Sequence, residues 1–148
     1  MKHFAVAVVI FGALAAAVIV RAQPSPAPAI SVVRDTGCGC CLNWVAQLRR
    51  AGFKATVTES ANRPAESKVP AALRSCHTGT VDGYLIEGHV PVADIKRLLQ
   101  TRPKVLGIAV PGMPAGSPGM EMPGGAVAPY DVVAFDAAGR TSVFASHR

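Results

Sequence analysis

Hydrophobic positions along this chain change their period several times, and each change marks an element. Phe4 to Val20 is an unbroken apolar run of 17 residues behind Lys2 and His3, followed by Val20-Arg21-Ala22 ahead of Gln23. That is the pattern of a secretory signal peptide, with an arginine as its one blemish, and the run is slightly short for a spanning helix. The expectation is a signal peptide over 1–22, with an uncleaved anchor as the alternative. Gln23 to Ala29 alternates proline with small residues and reads as an extended tether over 23–29. Positions 30–148 then have the length of one domain.

Within that domain Ile30 to Arg34 is a short β-branched run that predicts a strand. From Cys41 the period becomes helical, with Leu42, Val45 and Leu48 on one stripe, Arg49 and Arg50 late in the helix and Gly52 as the stop. Phe53 to Glu59 alternates as a second strand. Ala61 to Ser75 contains Pro64 and Pro70 and admits at most a short broken helix. Asp82-Gly83 between Thr78–Val81 and Tyr84–Ile86 predicts a tight hairpin. Pro91 opens a helix whose Val92, Ile95, Leu98 and Leu99 share a face, and which stops before Pro103. Val105 to Val110 predicts another short strand. Pro111 to Pro129 is a Gly/Pro/Met loop, and Tyr130–Phe135 with Ser142–Ala145, joined across Ala138-Gly139, predicts a final hairpin.

Strand, helix, strand, short helix, hairpin, helix is an α/β order. Its first two strands need a parallel crossover, and the hairpin extends the sheet antiparallel. The order, with cysteines where the first helix begins, resembles the thioredoxin fold: a mixed sheet flanked by helices, here with a C-terminal loop and hairpin extension. In that fold the loop entering the third strand lies over the start of the first helix. The resemblance therefore implies that Cys76 and His77 face Cys38 to Cys41 across a gap of 35 residues.

Charge narrows the partners. Of 15 basic residues two, Lys2 and Arg21, lie in the leader, which leaves 13 against 9 acidic ones. The excess is unclustered and stacking aromatics are few, so nucleic-acid binding has no footprint. Membrane association is expected only if the N-terminal segment is retained.

The four cysteines carry the chemistry: Cys38-Gly39-Cys40-Cys41 and Cys76, beside His77. At a helix start, amide N–H groups and the helix dipole favour thiolate over thiol, lowering a thiol pKa from about 8.5 to between roughly 3.5 and 7.5. Three sulfurs plus Cys76 suit Cu(I), several ions with bridging thiolates included, or one tetrahedral Zn(II). Cys38 and Cys41 also form the Cys-x-x-Cys pair of a thiol–disulfide oxidoreductase, with Cys40 as a competing third sulfur. In an exported protein, two structural disulfides are a further reading; Cys40–Cys41 is strained, while Cys38–Cys41 is feasible and leaves Cys40 to find Cys76. Met113, Met120 and Met122 cluster in turn-forming sequence rather than on a periodic face. They are soft Cu(I) ligands or an apolar flap over the cysteines. Trp44 is expected to pack beside the site, and His89 to lie on the surface ahead of a helix.

Taken together, Cys38-Gly39-Cys40-Cys41 with Trp44, Ser75-Cys76-His77-Thr78, the run from Val81 through Gly83-Tyr84, Ile86-Glu87-Gly88-His89-Val90-Pro91, and Val110-Pro111-Gly112-Met113-Pro114 with Gly116 to Met122 resemble the CopG-like periplasmic copper-resistance proteins, a thioredoxin-like family of unknown function. The resemblance implies a periplasmic protein of copper homeostasis that binds copper at Cys38, Cys40, Cys41 and Cys76 with His77 adjacent, interconverts Cu(I) and Cu(II), and meets other periplasmic copper-handling proteins. A thiol–disulfide oxidoreductase using Cys38 and Cys41, and a structural zinc or disulfide-stapled domain, stay open beside it. The segment from Glu59 to Pro70 departs from the pattern, being shorter than the family's second helix and interrupted by Pro64.

Overall fold

A computed structural model describes residues 27–62 and 67–148. The expected leader and most of the tether, and Pro64, lie outside the described residues. Seven strands form one mixed sheet: β1 (Ala29–Arg34), β2 (Lys54–Glu59), β3 (His77–Val81), β4 (Tyr84–Glu87), β5 (Gly107–Ala109), β6 (Tyr130–Phe135) and β7 (Thr141–His147), in the order β2-β1-β3-β4-β5-β6-β7. Helix α1 (Gly39–Arg50) joins β1 to β2, which run parallel, and α2 (Val92–Thr101) joins β4 to β5, also parallel. The remaining neighbours are antiparallel. Each parallel pair has the helical crossover that its geometry demands.

The predicted elements form where the periodicity puts them. Asp82 and Gly83 both take positive φ, 51° and 86°, as a two-residue hairpin turn between β3 and β4 requires. Arg102, in the left-handed region at φ 45°, ends α2 directly before Pro103. Ala61 to Ser75 yields among its described residues only a 3-10 turn at Ala71–Leu73.

Both helices pack on one face of the sheet. Trp44, Val45 and Leu48 of α1 and Ile95 and Leu98 of α2 join Ile30, Val32, Val81, Ile86, Ile108 and Val132 in one buried cluster. The opposite face is covered instead by Val69 and Leu73 over Ala109 and Phe135. Alternation along β5 and β6 sends Ile108, Val132 and Ala134 to the helical face and Ala109, Val133 and Phe135 to the other. The expectation of helices flanking a mixed sheet thus holds with both helices on a single face. Among the described residues no helix is long and apolar enough to cross a membrane.

The register of β1 and β3 positions the site. Their ladder ends at Arg34 opposite His77, and the Asp35 N–H donates to the Cys76 carbonyl at 2.9 Å. Chain leaving β1 for α1 and chain entering β3 therefore meet at one end of the sheet.

Candidate metal centre

Cys38 is the N-cap residue of α1, extended at φ −74° and ψ 93°, and its side chain caps no backbone N–H. Its sulfur instead bonds Cys41, one helical turn on, with the Cα atoms 5.6 Å apart. That separation is ordinary for a disulfide. Cys40 retains a thiol, with Sγ 3.4 Å from Cys38 Sγ. All three sulfurs lie within 4.8 Å of one another. The loop before them is held by Arg34, which is nearly buried: one guanidinium nitrogen donates to the Cys38 carbonyl at 2.9 Å and the other pairs with the Glu59 carboxylate.

The second cysteine segment arrives from β3. His77 Nδ1 lies 3.2 Å from Cys41 Sγ, and the Cys76 carbonyl oxygen 3.9 Å from the same sulfur. The Cys76 sulfur lies outside that 4.8 Å group, 3.5 Å from Met113 Sδ. Glu87 fixes this corner from β4. It is fully buried, accepts the Ser75 N–H at 2.6 Å and the Thr78 hydroxyl at 2.5 Å, and so brackets Cys76 and His77.

Aromatic rings floor the site. Trp44, one turn into α1 and completely buried, donates its indole N–H to the Val90 carbonyl at 2.9 Å. Its ring lies 4.4 Å from that of His77, which meets His89 edge-on at 5.0 Å. His89 is also completely buried, a correction to the expectation of a surface position. Its Nδ1–H donates to the Pro118 carbonyl at 2.8 Å, leaving Nε2 buried with no hydrogen-bond partner. Burial pushes the imidazole below its ordinary pKa, while the Pro118 carbonyl and the Glu121 charge oppose the shift. The clue to its burial was positional: β4 has neighbours on both sides, so chain leaving its end passes under the start of α1. Glycine and proline flank His89, and those residues occur as readily at a surface turn.

The methionine loop lies across the start of α1. Gly119, at φ +86°, sits so close that a Cβ there would stand 2.9 Å from both the Cys40 carbonyl oxygen and the Trp44 nitrogen. Only glycine meets both the conformation and the clearance. Glu121 pins the loop, accepting from the Gln47 side-chain amide at 2.6 Å and from the Gly119 N–H at 3.0 Å. The Gly119 N–H and other donors hold its carboxyl below the usual range. Met113 is half exposed at 51% beside Cys76; Met120 is half-buried and Met122 exposed further along. His147, on the edge strand β7, pairs with Asp94 at 2.7 Å.

The donor set is chemically coherent for a soft metal. It offers three clustered sulfurs, an imidazole nitrogen on one of them, and a thiol paired with a thioether. Cys38 and Cys41 become thiolate donors once their bond is reduced.

Known proteins resemble this chain. Residues 73–120, which include Cys76, His77, His89, Met113 and Met120, match a family model described as "Protein of unknown function, DUF411". A solved structure titled Copper resistance protein copG, Form 1, is 47% identical; the alignment covers 82% of this chain and 98% of that one, with a TM-score of 0.77. The Form 2 structure is 46% identical at the same TM-score, covering 82% of this chain and 99% of the other. This chain belongs to the CopG family. No curated protein sequence matches it significantly. In this chain the cysteine cluster at the start of α1 is a group of side chains that could hold a metal ion.

Proposed function

We propose that this CopG-family protein binds Cu(I) in the periplasm through the reduced sulfurs of Cys38, Cys40, Cys41 and Cys76, with His77 as a nitrogen donor and Met113 as a thioether donor, and that it serves copper homeostasis. The observation that carries this reading is the crowding of three cysteine sulfurs within 4.8 Å at a helix N-terminus. In the reduced protein the same placement would bring three thiolates together, which is costly unless a cation lies among them, and soft sulfur selects Cu(I) over harder ions. Sulfur bridging would let the cluster hold more than one ion, and bound copper would supply one-electron chemistry, Cu(I) against Cu(II). The Cys76 sulfur lies beside Met113 and outside the 4.8 Å group in the disulfide form, so binding by all four cysteines calls for a closer approach of Cys76. Met120 and Met122 act as a flexible apolar cover from which thioethers reach the site.

We also read β1 to β4 with α1 and α2 as a thioredoxin-like unit. Support comes from the strand order β2-β1-β3-β4 and from the Cys76–His77 corner lying over the start of α1. Export follows from the N-terminal apolar run. The test is anaerobic titration of the reduced protein with Cu(I) against a chromophoric chelator. More than one tightly held equivalent is expected, with capacity reduced in Cys40→Ser. Equal capacity and affinity in the serine variant would remove Cys40 from the ligand set.

A second reading has its own observation, the Cys38–Cys41 disulfide. It makes the protein a thiol–disulfide oxidoreductase, with catalysis at Cys38 and Cys41. Insulin reduction that survives Cys40→Ser and needs no copper would favour it over the first.

A further inference from the structure

We propose that Cys40 exchanges with the Cys38–Cys41 disulfide inside the folded chain, so that the oxidised protein interconverts two pairings, Cys38–Cys41 and Cys38–Cys40, that share the sulfur of Cys38. The observation is the placement of a thiol against a disulfide. Cys40 Sγ stands 3.4 Å from Cys38 Sγ, so the reacting atoms are close to contact before any backbone moves. Rotation of the Cys40 side chain into line with the Cys38–Cys41 bond then turns an encounter into a unimolecular step.

The step balances internally. The Cys40 thiolate, its proton lost to solvent from a half-exposed position, attacks Cys38 Sγ. A Cys38–Cys40 bond forms as the Cys38–Cys41 bond breaks, and the electron pair leaves on Cys41 Sγ. One disulfide and one thiol exist before and after, so no oxidant or reductant is consumed.

The leaving sulfur is the one that the fold has prepared to receive charge. Cys41 lies in the first turn of α1, where the helix dipole favours an anion, and His77 Nδ1 is 3.2 Å away to donate a hydrogen bond. Cys41 is completely buried whereas Cys40 is half exposed, so exchange moves the reactive thiol between the surface and the floor of the site. The chemistry needs no metal and goes beyond the copper reading. Failure of one leaves the other standing, because the two are tested with different samples.

The test uses chelator-treated, oxidised full-length protein equilibrated at neutral pH. It is quenched into acidic denaturant with N-ethylmaleimide, then reduced and blocked with iodoacetamide, so that burial no longer limits labelling. Tandem mass spectrometry locates the maleimide. The expected result is label mainly on Cys40, with about 1 to 10% on Cys41, as for a minor state in exchange with the major one, and none on Cys38. In His77→Ala the Cys41 share falls severalfold. Label confined to Cys40, or spread to Cys38 as well, overturns the proposal: the first shows no exchange, the second indiscriminate scrambling. A second variant tests the alternative pairing directly. Cys41→Ser should air-oxidise to a monomer lighter by two hydrogen atoms, with Cys38 bonded to Cys40. A variant that stays reduced, or that pairs with Cys76 or with another chain, contradicts it.

Discussion

The inner and outer halves of the sulfur site differ sharply. Inside, Cys41, Trp44, His77 and His89 are all completely buried, with His77 touching the other three, and each is held by a helix or by chain at a strand end. Outside, Cys40 and Cys76 are half exposed, and Met113 and Met122 project from a loop held through Gly119 and Glu121. The inner half fixes positions that a metal or a disulfide needs; the outer half holds sulfurs that can rotate, exchange and receive a ligand. Soft-metal binding requires both, since a wholly rigid cluster admits no ion and a wholly mobile one holds none in register.

If this division is right, substitutions should separate along it. The largest effect belongs to the floor. Trp44→Ala should destabilise the fold by about 3–5 kcal/mol, the range for deleting a buried aromatic, measured by urea unfolding; a loss comparable to a surface substitution would mean that the floor is not part of the core. Next is the junction between halves. Gly119→Ala forces a Cβ against the Cys40 carbonyl at an unfavourable φ and should cost about 1–3 kcal/mol. It should also speed iodoacetamide labelling of Cys40 as the loop lifts, and unchanged labelling would show that the loop does not cover that thiol.

A smaller effect follows from His89. Its folded pKa is depressed, so the unfolded chain binds the proton more readily. The associated stability is complete above the ordinary value near 6.5 and is lost as pH falls from there through the folded pKa. Wild type should therefore lose more stability on acidification across that window than His89→Asn does, by chemical denaturation at several pH values. Parallel pH profiles would place the titration elsewhere. The smallest effect on folding is Met113→Leu, expected within about 0.5 kcal/mol because the residue is half exposed. Its Cu(I) affinity should nonetheless fall, and an unchanged affinity would restrict the metal to cysteine and histidine.

Legibility in the sequence follows the same boundary. Strand and helix periods placed both helices, all seven strands and the Asp82-Gly83 turn, because local pattern suffices for them. The Cys38-Gly39-Cys40-Cys41 cluster was legible for the same reason, since its sulfurs meet within one helical turn. Burial of His89 was not, because it depends on where chain leaving β4 passes. Arg34 and Glu87 were equally hidden. A charged residue at a strand end looks solvated until the β1–β3 and β3–β4 ladders bring Cys38, Ser75 and Thr78 around it. The single-sided placement of α1 and α2 also escaped the pattern: Ala61 to Ser75 signals a weak helix, and only packing shows that Val69 and Leu73 cover the face opposite α1 and α2.

The most direct test of a sulfur-built copper site is X-ray absorption at the copper edge on reduced protein loaded anaerobically. The account predicts a first shell dominated by sulfur, with fewer sulfur scatterers per copper or less copper retained in Cys40→Ser. A shell of nitrogen and oxygen alone, unchanged by that substitution, would contradict it.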